Sequence, residues 1–177
     1  MLASLTITGQ VKFEGKGIRV DSLNTPNGQN YLVLHPSENS MAFTEEQGGS
    51  SSQNSFTTSD ITFDDASWSV TVFPDYLGTK GMLSPIGFTE EGLLYSEVTF
   101  DRGLHEGKVK LAKGDKLEEV SIPFFKNKSP IQSGCLSKDG QYMILSLESN
   151  NTKGVEGLYI LKKNAGGGWG QPKIMGN

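Results

Sequence analysis

The side chains best suited to acid-base or nucleophilic chemistry in this 177-residue chain are two histidines and several groups of carboxylates. His35 precedes Pro36 at a predicted turn, and His105 lies in the segment FDRGLHEGK. A catalytic Ser-His-Asp triad is recognised by geometry rather than spacing, and no G-x-S-x-G nucleophile elbow occurs in the sequence. We interpret both histidines as turn and loop residues, and we retain His105 as a candidate for binding.

The carboxylates do not form a motif of known chemistry. They occur at Glu45-Glu46, Asp60, Asp64-Asp65, Glu90-Glu91 and Glu118-Glu119. Glycoside hydrolysis needs two carboxyl groups that face one sugar pocket, and calcium needs a set of oxygen ligands such as an EF-hand loop supplies. Neither arrangement is indicated here. The pattern favours solvated charge at strand ends, and the sequence predicts no metal and no cofactor.

Two segments resemble functional motifs but lack residues that those motifs require. GQVKFEGKG resembles a phosphate-binding loop, but five residues separate Gly9 from Gly15, and Gly17 stands where Ser or Thr would hold magnesium. SKDGQYMIL resembles a sialidase Asp-box, yet glycine follows Asp139 directly and the closing aromatic is absent.

The composition is typical of a protein rich in strands and turns. Hydrophobic residues make up 35% and charged residues 20% of the chain, with 22 glycines and no sustained helical spacing of apolar residues. The net charge of −4 is scattered, which argues against nucleic-acid binding. No apolar run is long enough for a membrane span, and the opening residues do not form a signal peptide. The single cysteine, Cys135, lies in an apolar strand context that predicts a buried thiol.

A repeated pattern divides the chain into units. In each unit an apolar strand leads to a turn, a second apolar strand, a polar loop and two further strands. The turns are Pro36-Ser37-Glu38-Asn39, Glu90-Glu91-Gly92 and Lys138-Asp139-Gly140. Leu34, Phe88 and Leu136 occupy equivalent points about 50 residues apart, which is the repeat length of propeller blades. Asp-Gly between apolar runs is a strong hairpin signal.

These units predict an all-β, β-propeller-like array of four-stranded antiparallel blades in a single domain. Their approximate bounds are 1–30 (a half blade), 31–80, 81–127 and 128–177. About three and a half blades are fewer than the four that a ring typically needs. A partial propeller, a small four-bladed ring and a ring shared by two copies all remain open.

The third unit resembles the WD-like β-propeller repeat of bacterial envelope proteins, the TolB-like family. The matching residues are Leu136-Ser137-Lys138-Asp139-Gly140-Gln141, Leu158-Tyr159, Gly167-Gly168-Trp169-Gly170-Gln171-Pro172 and Met175-Gly176. The first unit matches more loosely at His35-Pro36-Ser37-Glu38, Ser59-Asp60-Ile61, Trp68 and Leu77-Gly78. Lys138 replaces the usual proline, Met175 replaces the usual leucine, and the second unit lacks the tryptophan.

The resemblance implies structural repeat roles and a bacterial periplasmic or cell-surface location. The structural repeat residues are Asp139, Gly140, Tyr159, Trp169 and Pro172. Each of the two tryptophans, Trp68 and Trp169, would cover the seam between neighbouring sheets. The repeat occurs in proteins with different activities, so it predicts architecture more strongly than function.

Because no catalytic set is visible, the sequence predicts a non-enzymatic interaction module that binds another envelope protein or cell-wall glycan. Its surface would include the loops 47–58, 100–107 and 148–156. The candidate binding residues are Asp60, Trp68, Tyr76, Tyr95, Phe100 and His105. For the four aromatic residues among them, the sequence favours packing between sheets, with surface contact as the alternative role. Two alternative functions remain. The first is a propeller-fold polysaccharide hydrolase or lyase, or a fragment of such an enzyme. The second is a self-assembling half-propeller that forms homo-oligomers.

Overall fold

The computed structural model describes residues 29–35, 40–46, 54–61, 68–73, 81–114, 116–129, 132–149 and 155–176. Within these residues the chain forms twelve β-strands and no helix. The half unit predicted for residues 1–30 lies outside the described residues, apart from its last two positions.

The strands form three separate four-stranded antiparallel sheets, each paired in chain order. Sheet 1 contains β1 (Gln29–Leu34), β2 (Ser40–Glu46), β3 (Asn54–Ile61) and β4 (Trp68–Phe73). Sheet 2 contains β5 (Met82–Thr89), β6 (Gly92–Asp101), β7 (Leu104–Lys113) and β8 (Lys116–Glu119). Sheet 3 contains β9 (Ser133–Leu136), β10 (Tyr142–Leu147), β11 (Gly157–Lys162) and β12 (Lys173–Ile174). The prediction of an all-β fold made of antiparallel sheets is confirmed.

Sheet 2 lies between the other two and is buried on both faces. Successive side chains of a strand point to opposite faces, so Leu93 and Tyr95 pack with Ala42 of sheet 1. Leu94 points the other way and packs with Leu145 of sheet 3. This double burial explains why β6 is buried continuously from Leu93 to Val98.

The larger core lies between sheets 2 and 3. Sheet 2 contributes Ile86, Leu94 and Val109 to this core, and sheet 3 contributes alternate residues of its two central strands. The members from β10 and β11 are Met143, Leu145, Leu147, Tyr159 and Leu161, and Trp169, which follows β11, also belongs to this core. The opposite face of sheet 3 carries the intervening residues and has no further sheet on it among the described residues.

The turn predicted at Lys138-Asp139-Gly140 is present between β9 and β10. Gly140 has a φ of 65°, a conformation that glycine adopts without steric cost. The Asp139 carboxylate accepts hydrogen bonds from the Ser137 hydroxyl (2.6 Å) and the Gln141 amide (3.1 Å). These two bonds lower the pKa of Asp139, because they stabilise its charged form.

Buried amide groups fix the connection between sheets 2 and 3. The Asn127 side-chain nitrogen donates to the Gln132 side-chain oxygen (3.0 Å), and the Ser96 hydroxyl donates to the Gln132 carbonyl (2.7 Å). Gln132 is fully buried, and its side-chain nitrogen donates to the Lys108 carbonyl (3.4 Å). Gly107 makes room for this arrangement, since a Cβ there would lie 2.3 Å from the Gln132 side-chain oxygen.

Several boundaries predicted from the sequence are wrong. The loop predicted at 47–58 ends earlier, because β3 begins at Asn54 and pairs with Glu46 of β2. The loop predicted at 100–107 is almost entirely strand, with only a two-residue turn at 102–103. In each case backbone pairing, rather than the polarity of the segment, decides where the strand ends.

The prediction of a buried Cys135 is also wrong, because this thiol is exposed. Cys135 is paired with Ile144 and therefore lies on the face of sheet 3 that is turned away from sheet 2. An apolar strand context indicates burial only where a second sheet covers that face.

Candidate functional site

The connections between second and third strands leave all three sheets from the same end. The first strands of neighbouring sheets contact each other, and the C-terminal ends of β1, β5 and β9 meet at a cleft of about 310 Å³. Leu34, Phe88 and Leu136 are among the residues that line this cleft. Because neighbouring strands are antiparallel, the second-to-third connections lie at the opposite end of each sheet. We call that end the loop end.

At the loop end, the hairpin formed by β6 and β7 extends beyond the rest of sheet 2. The last pair between β6 and β5 is Val98 with Met82, and the last pair between β7 and β8 is Lys110 with Glu119. Residues 99–106 pair only with each other within the sheet. We call residues 99–106 the projecting hairpin.

The tip of the projecting hairpin exposes two large apolar side chains. The turn residues Arg102 and Gly103 have φ values of 49° and 85°, as a type I′ hairpin turn requires. Phe100 is 68% exposed and Leu104 is 75% exposed. Phe100 and His105 form a cross-strand pair with ring centroids 5.0 Å apart. The structure thus brings together two of the predicted binding residues.

The base of the projecting hairpin is stabilised by charged side chains. Lys108 forms ion pairs with Glu106 (3.5 Å) and Glu119 (3.1 Å), and Lys110 pairs with Glu97 (3.5 Å). The hydrogen bond to Glu119 and the negative charges of Glu106 and Glu119 raise the pKa of Lys108. Together with Gln132, which holds the Lys108 carbonyl, these contacts anchor the hairpin to the sheet.

This arrangement is suited to binding by contact and stacking. Phe100 offers a ring face, Leu104 offers an aliphatic side chain on the other side of the ribbon, and Asp101 and Arg102 add opposite charges at the tip. In the part of the chain that the structure describes, no group of three His, Cys, Asp or Glu residues could hold a metal ion.

Two other predicted binding residues, Asp60 and Trp68, lie away from the tip. Asp60 and Trp68 lie on adjacent strands of sheet 1, where Asp60 pairs with Ser69 and Ile61 pairs with Trp68. This position is at the end of β3, opposite the loop end. Tyr76 lies outside the described residues.

Tyr95 belongs to the core rather than to a surface. Its side chain is 0% exposed and packs with Leu93 and Ala112 on the sheet 1 side of sheet 2. This is the packed role that the sequence favours for the aromatic residues. Burial raises the pKa of the Tyr95 phenol far above its ordinary value of 10.0.

Tyr95 is therefore expected to reduce stability at high pH. The unfolded chain releases the phenolic proton near pH 10, whereas the folded chain retains it. The contribution of the protonated Tyr95 phenol to the free energy of unfolding is complete below pH 10 and falls by about 1.4 kcal/mol per pH unit above it. Urea unfolding at pH 8 and pH 11 should show a smaller loss between the two pH values for Tyr95→Phe than for the wild type. Tyr142→Phe, which alters a partly exposed ring, should retain the wild-type loss; an equal loss in Tyr95→Phe would contradict the expectation.

Leu104 and Phe124 are exposed apolar residues that the sequence reasoning missed. Leu104 lies one residue past the turn, and the alternation of β7 could have identified it as outward-facing. Phe124 is 83% exposed and has a φ of 57°. It follows Pro123 in a turn that is closed by a hydrogen bond from the Phe125 amide to the Ile122 carbonyl (3.3 Å). Proline followed by a residue with positive φ is the type II turn pattern, in which glycine is usual at the position of Phe124.

No family model and no curated protein matches the chain in the comparisons made. Among the residues that the structure describes, no helix could cross a membrane.

Proposed function

We propose that the chain is a β-propeller-type interaction module of the bacterial envelope, with no catalytic role, that binds another protein through its loop end. The architecture supports this proposal because three tandem four-stranded sheets stack face to face with their first strands adjacent. The resemblance of residues 136–176 to the WD-like repeat of envelope proteins supports the location at the periplasm or cell surface.

The projecting hairpin is the observation that carries the proposal. Aromatic residues, including phenylalanine, are enriched at protein interfaces, where a few residues carry most of the binding energy. Phe100 and Leu104 are exposed, and the ion pairs of Lys108 hold their support in place. A preorganised hairpin loses little conformational freedom when it binds.

A protein partner fits this hairpin better than a glycan. Phe100 and Leu104 lie on opposite faces of the two-stranded ribbon, since Phe100 pairs with His105 and Leu104 pairs with Asp101. A partner that buries both must surround the ribbon, which a protein cleft can do. A sugar ring would stack on the Phe100 face alone.

The test is capture of partners from a bacterial envelope extract by the immobilised chain. Phe100→Ser/Leu104→Ser is expected to reduce recovery of the specific partner at least about tenfold, as loss of a hot spot does. Both side chains are exposed, so the fold should be unaffected. Leu34→Ser/Ile174→Ser, which removes two exposed apolar side chains away from the loop end, is the matched control and should retain binding.

Equal recovery of every captured protein by the hairpin variant and the wild type would overturn the proposal. Sedimentation with insoluble peptidoglycan provides a separate arm. If wild-type chain sediments and Phe100→Ser alone abolishes this while Leu104→Ser does not, the ligand is glycan and the protein-binding proposal fails.

A further inference from the structure

One edge of β7 carries backbone groups that no described strand pairs with. The Val120 amide donates to the Val109 carbonyl (2.8 Å), so the backbone groups of Val109 point towards β8. In an antiparallel ladder, the backbone groups of alternate residues point to the same edge. Those of Gly107 and His105 therefore point this way too, beyond the end of β8 at Glu119. We call residues 105–107 the free edge of β7.

The free edge opens onto a cleft of about 320 Å³ beside the projecting hairpin. Gly107 lines this cleft although the residue is buried. Its outward N–H and C=O have no hydrogen-bond partner among the described residues. Buried backbone groups are nearly always paired in proteins. An extended chain laid in the cleft would supply both a donor and an acceptor to Gly107.

The two walls of this cleft differ in chemistry. On the sheet 1 side of β7, Lys108 forms ion pairs with Glu106 (3.5 Å) and Glu119 (3.1 Å), whose side chains are 68% and 55% exposed. On the sheet 3 side, Ile122 and Phe125 line the cleft and pack against the core between sheets 2 and 3. We call these the charged wall and the apolar wall. Because side chains of a strand alternate between faces, an added strand would meet one wall with each face.

The charged wall has an excess of negative charge. Next to it, Lys110 pairs with Glu97 (3.5 Å) and lies 3.8 Å from Glu119. With Glu106 and Lys108 the group comprises three carboxylates and two ammonium groups. Opposite charges on neighbouring strands are stabilising and like charges are destabilising. A strand with basic side chains on one face and apolar side chains on the other therefore fits this cleft.

We infer that the free edge of β7 receives an extended segment of the protein partner, which pairs as an additional strand and places basic side chains on the charged wall. In this mode of recognition, main-chain hydrogen bonds supply affinity and alternate side chains supply specificity. The inference rests on the proposed function, because it names the segment by which the partner contacts the projecting hairpin.

The test is binding of the labelled peptide Arg-Val-Arg-Val-Arg-Val-Arg, measured by fluorescence anisotropy. His105→Pro is expected to weaken this binding at least about tenfold, since it removes an outward N–H and sets a ring against the added strand. The pairing of β6 with β7 should survive, because proline is tolerated where the lost N–H faces outward. His105→Ala is the matched control: it keeps the N–H and should bind as the wild type does.

Hydrogen exchange tests the same contact without a substitution. The peptide is expected to slow exchange of the His105 and Gly107 amides at least about tenfold, because both would donate to the added strand. The amide of Gly166, in a turn of sheet 3, should exchange at the same rate with and without peptide.

The peptide Glu-Val-Glu-Val-Glu-Val-Glu tests the charge of the partner segment. It has the same alternation but should bind at least about tenfold more weakly, since it brings like charges to the charged wall.

Four results would overturn the inference. They are absence of binding by the basic peptide, equal binding by His105→Pro and His105→Ala, equal binding of the acidic peptide, and unchanged exchange at both amides. Light scattering adds a fifth: if two copies of the chain associate and His105→Pro separates them, the edge is occupied by a second copy. Partner capture by Phe100→Ser/Leu104→Ser is measured separately, so failure of the proposed function and failure of this inference are distinguishable.

Discussion

Trp169→Ala is expected to lower the free energy of unfolding by about 3–5 kcal/mol, the range measured for truncation of large buried aromatic residues. Trp169 is buried in the core between sheets 2 and 3, with Leu145 and Tyr159 in the same cluster. Lys163 covers the ring with its ammonium group 5.7 Å from the ring centre. A small domain has only about 5–15 kcal/mol of stability, so this loss is a large part of the total.

Urea unfolding followed by far-ultraviolet circular dichroism measures this loss without depending on the removed indole. Ile174→Ala provides a control in the same sheet, because Ile174 is exposed, and should change the stability by less than about 0.5 kcal/mol. The stability loss of Trp169→Phe should lie between those of Trp169→Ala and Ile174→Ala. A Trp169→Ala variant as stable as Ile174→Ala would show that the tryptophan does not close the core of sheet 3.

Gly92→Ala is expected to cost about 3 kcal/mol, from steric overlap combined with an unfavourable backbone conformation. A Cβ at this position would lie 2.0 Å from the Ala112 carbonyl oxygen, and the φ of Gly92 is 151°. The turn cannot easily move, since the Thr89 hydroxyl oxygen accepts the Glu91 and Gly92 amides (both 3.2 Å). The substitution therefore forces β6 and β7 apart at the end of sheet 2 opposite the loop end.

Gly166→Ala is the matched control, because a Cβ at Gly166 would have no neighbour within 4 Å. It should leave the urea midpoint close to that of the wild type. Thermal unfolding of both variants gives an independent measure, in which 1 kcal/mol corresponds to a shift of about 2–4 °C for a chain of this size. If the two variants unfold at the same temperature, the close approach of β7 to Gly92 is not a constraint.

Local patterns in the sequence were sufficient for the general architecture. Alternating apolar residues around Lys138-Asp139-Gly140 specify a hairpin because its turn is stabilised within a few residues, by Ser137 and by the positive φ of Gly140. The same pattern, found three times, predicted antiparallel four-stranded sheets. Such predictions hold because their causes are short-range.

Strand ends and exposure depended on partners distant in sequence. The residues Asn54 to Thr58 look like loop because four of the five are polar, but they form strand because β2 lies beside them and pairs with their backbone. Cys135 looks buried because its neighbours are apolar, but no described sheet covers its face.

Tyr95 and Phe100 show the same division within one strand. The sequence makes both of them aromatic residues of β6, and each could have been a core or a contact residue. Sheet 1 covers Tyr95, whereas Phe100 lies beyond the last residue that β5 pairs with. The amino-acid sequence determined that antiparallel strands joined by hairpin turns would form. Only the stacking of the sheets and the unequal lengths of their strands decided which aromatic ring is exposed to solvent. The reason is that burial depends on what lies opposite a residue in the fold rather than on its neighbours in the chain.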